Sequence, residues 1–130
     1  MSRYLLDTDA LINYSKGREP ATSRIQHLID QGDELGVCAV NVAEFASGIP
    51  SDQISLWNPF LSEFSYWDIS RETAALAGAF RHTLARRGTR LQLPDAIVAA
   101  VAATLGATIL TDNVKHFLPI SHVRVRPLRS

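Results

Sequence analysis

Cysteine is nearly absent from this sequence: Cys38 is the only one in 130 residues. A single cysteine forms no internal disulfide, so nothing in the chain requires an oxidising compartment. Its apolar neighbours in 35–42 mark it as a small core residue, because a catalytic thiol needs an electropositive setting that is missing here. Net charge is lacking too, since 13 Lys plus Arg balance 13 Asp plus Glu. That balance argues against a protein that holds nucleic acid by bulk electrostatics, because such domains are plainly basic. It leaves room for binding through a metal and a local basic patch. The longest apolar run, 96–103, is too short to span a bilayer. Met1-Ser2-Arg3-Tyr4 leads directly to Asp7, which is not the pattern of a signal peptide, so a cytoplasmic protein is expected. His27, His82, His116 and His122 show no zinc-like spacing and read as structural or surface residues. There is no internal repeat, low-complexity segment or linker.

What is present fits one globular domain over residues 1–130. Apolar residues make up 46% of the chain and charged residues 20%, enough for a real core. Tyr4-Leu5-Leu6 reads as a buried strand, stopped by Asp7-Thr8-Asp9, with Thr8 or Asp9 capping a helix through Ala10, Leu11 and Ile12. Residues 21–32 place Ile25, Leu28 and Ile29 at helical spacing before Gly32. Residues 35–40 form a second strand, after which Asn41 caps a helix ending at Gly48-Ile49-Pro50. The stretch 52–62 is amphipathic and broken by Pro59. A third strand is expected at 65–69 and a long helix over 71–87, capped by Ser70 and closed by Gly88. Pro94 opens another helix, which Gly106 stops near Leu105. A fourth strand at 108–110 and a fifth at 123–125 complete the pattern. Short, unalternating strands separated by helices imply parallel pairing with both faces covered.

The acids fall where strands give way to helices. Asp7 follows the first strand, Asp112 the fourth, and Glu44 lies in the helix after the second. Asp95 opens a later helix. Open parallel sheets bind ligands at the carboxyl ends of their strands. Each acid also has a local explanation. Asn41-x-x-Glu44 matches a capping box, Asp95 after Pro94 suits a helix dipole, and Asp7 and Asp112 suit turns. Acids gathered on one edge repel one another unless a cation neutralises them. Hard ions such as Mg²⁺ or Mn²⁺ take carboxylate ligands and retain water. Bound this way, they lower the pKa of a water and stabilise phosphate charge, as phosphodiester hydrolysis requires.

Four segments carry a family resemblance: Leu5-Leu6-Asp7-Thr8-Asp9-Ala10-Leu11-Ile12, Val40-Asn41-Val42-Ala43-Glu44-Phe45, Pro94-Asp95-Ala96-Ile97-Val98-Ala99-Ala100 and Leu110-Thr111-Asp112-Asn113-Val114-Lys115-His116-Phe117. In this order and spacing, nearly end to end, the chain resembles PIN domains, and in particular the VapC-type toxins of prokaryotic toxin–antitoxin pairs. The resemblance implies a three-layer α/β/α fold around a central parallel sheet of four to five strands. It implies a Mg²⁺- or Mn²⁺-dependent endoribonuclease that forms a homodimer and is inhibited by a small antitoxin. Asp7, Glu44 and Asp95 match the family's first three acids and are the expected metal ligands. The family often places an acid or Asn at the position of Asn113, whereas the acid here is Asp112. Asp112 is expected to complete the catalytic set with Asn113 beside it, and Thr111 to orient the loop or a metal-bound water. Asp9 is a further candidate, with helix capping the favoured role.

Arg86, Arg87 and Arg90, with Arg81 nearby, gather between the long helix and Asp95. They read either as a solvated face or as contacts for RNA phosphates or an acidic antitoxin tail. Ile54, Trp57, Phe60 and Leu61 form an apolar stretch, and any exposed part would suit an amphipathic partner helix. Two competing readings stand beside the nuclease. One is a PIN-like module that binds RNA or a partner without cutting, for which the Asn113 departure leaves room. The other is an aspartate-nucleophile phosphohydrolase, suggested by Asp7-Thr8-Asp9. That class also needs a well-placed lysine, and only Lys16 and Lys115 are available.

Overall fold

Tyr4, Leu5 and Leu6 form the core of β1 (Arg3–Leu6), the central strand of a five-stranded sheet in the computed structural model, which describes residues 1–129. The other strands are β2 (Glu34–Cys38), β3 (Ser65–Trp67), β4 (Thr108–Leu110) and β5 (Arg124–Arg126), in spatial order β3-β2-β1-β4-β5. Every pairing is parallel. Six α-helices connect them: α1 (Thr8–Ser15), α2 (Ala21–Asp30), α3 (Ala39–Ser47), α4 (Asn58–Leu61), α5 (Arg71–Arg86) and α6 (Leu93–Leu105). Two 3₁₀ segments add Ser51–Trp57 and Val114–His116. The first of these and α4 are the two halves of the stretch expected to break at Pro59, although the break falls one residue earlier, at Asn58. No helix among the described residues is long and apolar enough to cross a membrane.

Side chains alternate across a strand, so β1 feeds both faces of the sheet. Leu5 joins a core with Ile109, α5 and α6. Tyr4 and Leu6 join the opposite core with Ala10, Leu11, Ile25, Leu28 and Phe45 from α1, α2 and α3. The result is three layers, α/β/α. Leu5, Leu6, Leu11, Ile25, Ile109 and Leu110 are completely buried. Burial of each such side chain stabilises the fold by about 1.5–3 kcal/mol relative to exposure. On the α4 side, Phe60 packs against Tyr14, Phe45, Trp57 and Phe64 with ring centroids 5.5–5.9 Å apart. Trp57, Phe60 and Leu61 are thus half-buried against this core, and Leu56 is exposed.

The helix ends follow local chemistry. Ser70 caps α5 by accepting from the Thr73 amide. Gly106 ends α6 at φ +65°, a left-handed conformation natural to glycine. The start of α3 departs from expectation: it lies at Ala39, so Asn41 is its third residue and not its cap. The side chain of Asn41 instead accepts from the Cys38 amide at 2.9 Å. Gly36 in β2 has a tertiary reason, because a Cβ there would lie 2.6–2.7 Å from the Trp67 ring.

The strand order decides where a ligand can sit. The chain moves from β1 to β2 and β3 on one side, then returns to place β4 on the other side of β1. The connections part between β1 and β4, and a crevice opens there beyond the strand ends. Asp7 and Thr111 are the residues immediately after those two strands.

Candidate active site

Asp7 is the N-cap of α1, a role expected for Thr8 or Asp9. One carboxylate oxygen accepts from the Thr8 amide at 3.0 Å. The other accepts from the Thr111 hydroxyl at 2.8 Å across the β1–β4 seam. The Asp7 amide donates to the Leu110 carbonyl, so the backbone also fixes this junction. Thr111 is fully buried, and its hydroxyl accepts from the Asn113 amide at 3.0 Å. It thus orders both Asp7 and the loop after β4.

Glu44 does not form the capping box that its spacing with Asn41 allows, because α3 begins two residues before Asn41. Its carboxylate instead accepts from the Thr8 hydroxyl at 2.5 Å. That hydroxyl also accepts from the side-chain amide of fully buried Asn41 at 3.4 Å. A polar chain therefore runs from the end of β2 through Asn41 and Thr8 to Glu44. Asp95 lies in the first turn of α6 and is half-buried, with His116 Nδ1 3.8 Å from its carboxylate. The exposed Asp9 carboxylate accepts from the Asn113 side chain at 2.7 Å.

These groups line one open cleft of about 370 Å³, formed by Asp7, Thr8, Asp9, Glu44 and Asp95 with Gln92, Pro94, Asn113 and His116. Asp112 requires a correction. Its carboxylate accepts from the Leu128 amide at 3.2 Å, which ties the loop to the C-terminal segment, and it is not in the cleft lining. Successive residues of the turn face opposite ways, and Asn113 is the one that faces the acids. His116 and Gln92 are additions, and Asp9, a further candidate with capping as its favoured role, lines the cleft while Asp7 takes the cap. His116 lies within the 110–117 segment, while nothing local marked Gln92. Arg86, Arg87 and Arg90 do not line the acidic cleft. Arg90 lines a separate pocket with Arg81, and Arg87 lines another with Phe80 and Ile120.

The cleft concentrates negative charge. Burial is the main cause that raises the Asp7 pKa above the usual carboxylate range. Its bonds to Thr111 and Thr8 pull it down, and Asp95 and Asp9 push it up again. Asp95 is likewise raised, first by burial and then by Glu44 and Asp9, with His116 opposing. No described Arg or Lys lines the cleft to offset these charges. The donors are carboxylate, amide and hydroxyl oxygens with one imidazole, His116, and the oxygens suit hard divalent cations. Among the described residues no group of three or more His, Cys, Asp or Glu side chains is arranged to hold a metal ion as it stands. An open site suits Mg²⁺, which is held by one or two carboxylates and keeps most of its waters.

The decisive match is the PIN domain family model, which fits residues 4–118 and so includes every acid of the cleft. The chain belongs to the PIN domain family. Among curated relatives, Ribonuclease VapC19 of Mycobacterium tuberculosis is 26% identical over 115 residues, covering 87% of this chain and 90% of the relative. The tRNA(fMet)-specific endonuclease VapC of Shigella flexneri is 26% identical over 129 residues, covering 95% and 96%. A toxin–antitoxin complex from Klebsiella pneumoniae contains a chain that is 29% identical, with a TM-score of 0.74 and coverage of 92% and 94%. The VapBC2 structure from Rickettsia felis, bound to a DNA fragment from its promoter, superposes with a TM-score of 0.83 at 22% identity and supports the PIN fold. As a PIN domain, the chain has its acids on three separate segments, brought together at one switch point.

Proposed function

We propose that this PIN-domain protein is a metal-dependent endoribonuclease and the toxin of a toxin–antitoxin pair, acting in the cytoplasm. The carrying observation is the gathering of Asp7, Glu44 and Asp95 in one cleft with no lysine or arginine to offset them. Curated relatives with ribonuclease and endonuclease names, aligned over most of the chain, support the same reading.

Asp7 and Asp95 would hold Mg²⁺ or Mn²⁺, with Glu44 as the third carboxylate. When bound, the ion would supply charge stabilisation at a phosphate and a more acidic water. The surrounding residues prepare the carboxylates for this work. Thr111 and the Thr8 amide fix both oxygens of Asp7, and Thr8 orients Glu44 while resting on Asn41. Asn113 steadies Asp9 at the rim. This preorganisation sets the carboxylates in place for a cation before substrate arrives, so that no side chain has to rearrange to receive it. A homodimer and a cognate antitoxin are the proposed assembly; the structural relatives are toxin–antitoxin complexes.

The test is RNA cleavage by purified protein in Mg²⁺ or Mn²⁺. Cleavage is expected to stop with chelator and with Asp7→Asn, and undiminished cleavage by Asp7→Asn protein refutes the proposal. The open, uncaged site favours a second reading, a PIN-like module that binds RNA or a partner without cutting. Thermal melting in a Mn²⁺ titration separates the two, because an ion that binds the native state raises its stability. No shift at millimolar Mn²⁺ supports the binding module.

A further inference from the structure

Residues 73–94 contain no Asp or Glu yet hold Arg81, Arg86, Arg87 and Arg90, so the neutral chain carries one wholly cationic span. The fold turns part of it into a concave site. Arg81 and His82 at the end of α5 face Thr89 and Arg90 of the following loop across an open pocket of about 470 Å³. Arg81 is anchored, because its Nε donates to the Leu91 carbonyl at 3.0 Å, leaving its terminal nitrogens without a hydrogen bond among the described residues. That bond also pins the loop against α5, and buried Leu91 fixes the loop from beneath. No carboxylate lines the pocket.

The same loop runs straight into the acidic cleft. Arg90 lines the basic pocket, and Gln92 and Pro94 line the cleft. Two peptide units separate Arg90 from Gln92, so their backbones lie at most about 7 Å apart. A polyanion with its reacting phosphate among the acids would therefore pass next to a cationic pocket on the same edge. We propose that the Arg81–Arg90 pocket is a subsite for a backbone phosphate of single-stranded RNA, next to the scissile one. This deepens the ribonuclease reading and rests on it. Guanidinium groups grip phosphate in paired fashion, and Thr89 adds a hydroxyl donor. Contacts of this kind position a strand without reading its bases. They also offset the repulsion between RNA and the acids, which a chain of zero net charge cannot do globally.

The test measures binding of a short fluorescent single-stranded RNA to full-length protein across a salt series, in the Asp7→Asn background so that the RNA stays intact. Each phosphate contact contributes about 0.7 to the slope of log affinity against log salt. Arg90→Gln should lower the slope by about 0.7 and weaken binding about tenfold. Arg81→Gln with Arg90→Gln should weaken binding further while lowering the slope by no more than about 0.7 in all, because one phosphate is involved. Arg90 makes no side-chain bond within the described structure, so Arg90→Gln should keep the parental melting temperature. Arg81→Lys keeps the charge but loses the paired geometry, so it should keep the salt slope and lose part of the affinity. Arg18→Gln, beyond the far end of α1, should change nothing. In the cleaving protein, Arg90→Gln should raise KM and leave kcat unchanged. Parental slope and affinity in the double variant overturn the subsite while leaving the nuclease reading intact. Loss of binding to a polyglutamate peptide with RNA binding intact also overturns it, and assigns the pocket to an acidic protein segment. If the protein with native Asp7 neither binds nor cleaves RNA, both readings fail together.

Discussion

Thr111→Val removes one hydroxyl from the seam between β1 and β4 and keeps the side chain's shape. The hydroxyl is completely buried, donates to Asp7 at 2.8 Å and accepts from the Asn113 amide at 3.0 Å. A hydrogen bond to a charged group is worth about 1.5–3 kcal/mol, and a neutral one about 0.5–1.5 kcal/mol. With no cavity term, the expected loss near neutral pH is about 2–4 kcal/mol. For a chain of this size that lowers Tm by roughly 7–15 °C. The pH dependence is more specific than the size. Burial already raises the Asp7 pKa, and the Thr111 bond is the largest effect opposing that rise. Without it the folded-state pKa climbs further from the unfolded value. A raised carboxylate binds its proton more tightly when folded, so stability falls as pH rises from the unfolded pKa through the folded one. The difference between Thr111→Val and the parent should therefore be small near pH 3.5 and grow as the pH approaches neutrality. Thermal melts by circular dichroism, without metal, measure this. A Tm loss that is the same at acid and neutral pH would show that Thr111 acts on packing alone and not through the Asp7 charge.

The same linkage applies to the unmodified protein. Asp7 and Asp95 are both raised, so the metal-free protein should lose stability as pH climbs above about 4 through their folded values. Mn²⁺ should restore that loss near neutral pH and have little effect below pH 4; melts with and without Mn²⁺ check it. Asp112→Ala should leave Mn²⁺ binding and cleavage unchanged and cost about 0.5–1.5 kcal/mol of stability, since its carboxylate is exposed to water and, among the described residues, accepts only from the Leu128 amide. Asp95→Asn should instead abolish the Mn²⁺-induced rise in Tm. Gly36→Ala should cost about 1–3 kcal/mol by driving a methyl into the Trp67 ring, read by chemical denaturation. Replacing Trp67 with Leu in the same chain should recover part of that loss.

Much of the site was legible because its residues sit where apolar runs end, at Leu6–Asp7 and Leu110–Thr111, and where Pro94 begins a helix. Local signals of that kind survive folding, since a buried strand and a helix start are set by neighbouring residues. Where two local rules gave different answers, only packing chose. Asn41 and Glu44 satisfied the spacing of a capping box, but β2 ends at Cys38 and α3 starts early. That shift turns Asn41 inward to the Cys38 amide and releases Glu44 to the cleft. In the turn after β4, Asp112 was the expected member of the site and Asn113 its neighbour. The C-terminal segment claims Asp112 through the Leu128 amide, and Asn113 meets Asp9.

Composition and pattern by themselves determined a parallel α/β domain, the excluded disulfide framework and four acids worth following, Asp112 among them. Those are properties of short windows and totals. The tertiary structure alone decided that β4 returns beside β1, which brings Thr111 onto Asp7 from 104 residues away and opens the crevice between them. It also decided that an overall neutral chain separates its charge, with acids in one cleft and arginines in the next pocket along the loop. A sum of charges carries no positions, and only the chain's path through space supplies them.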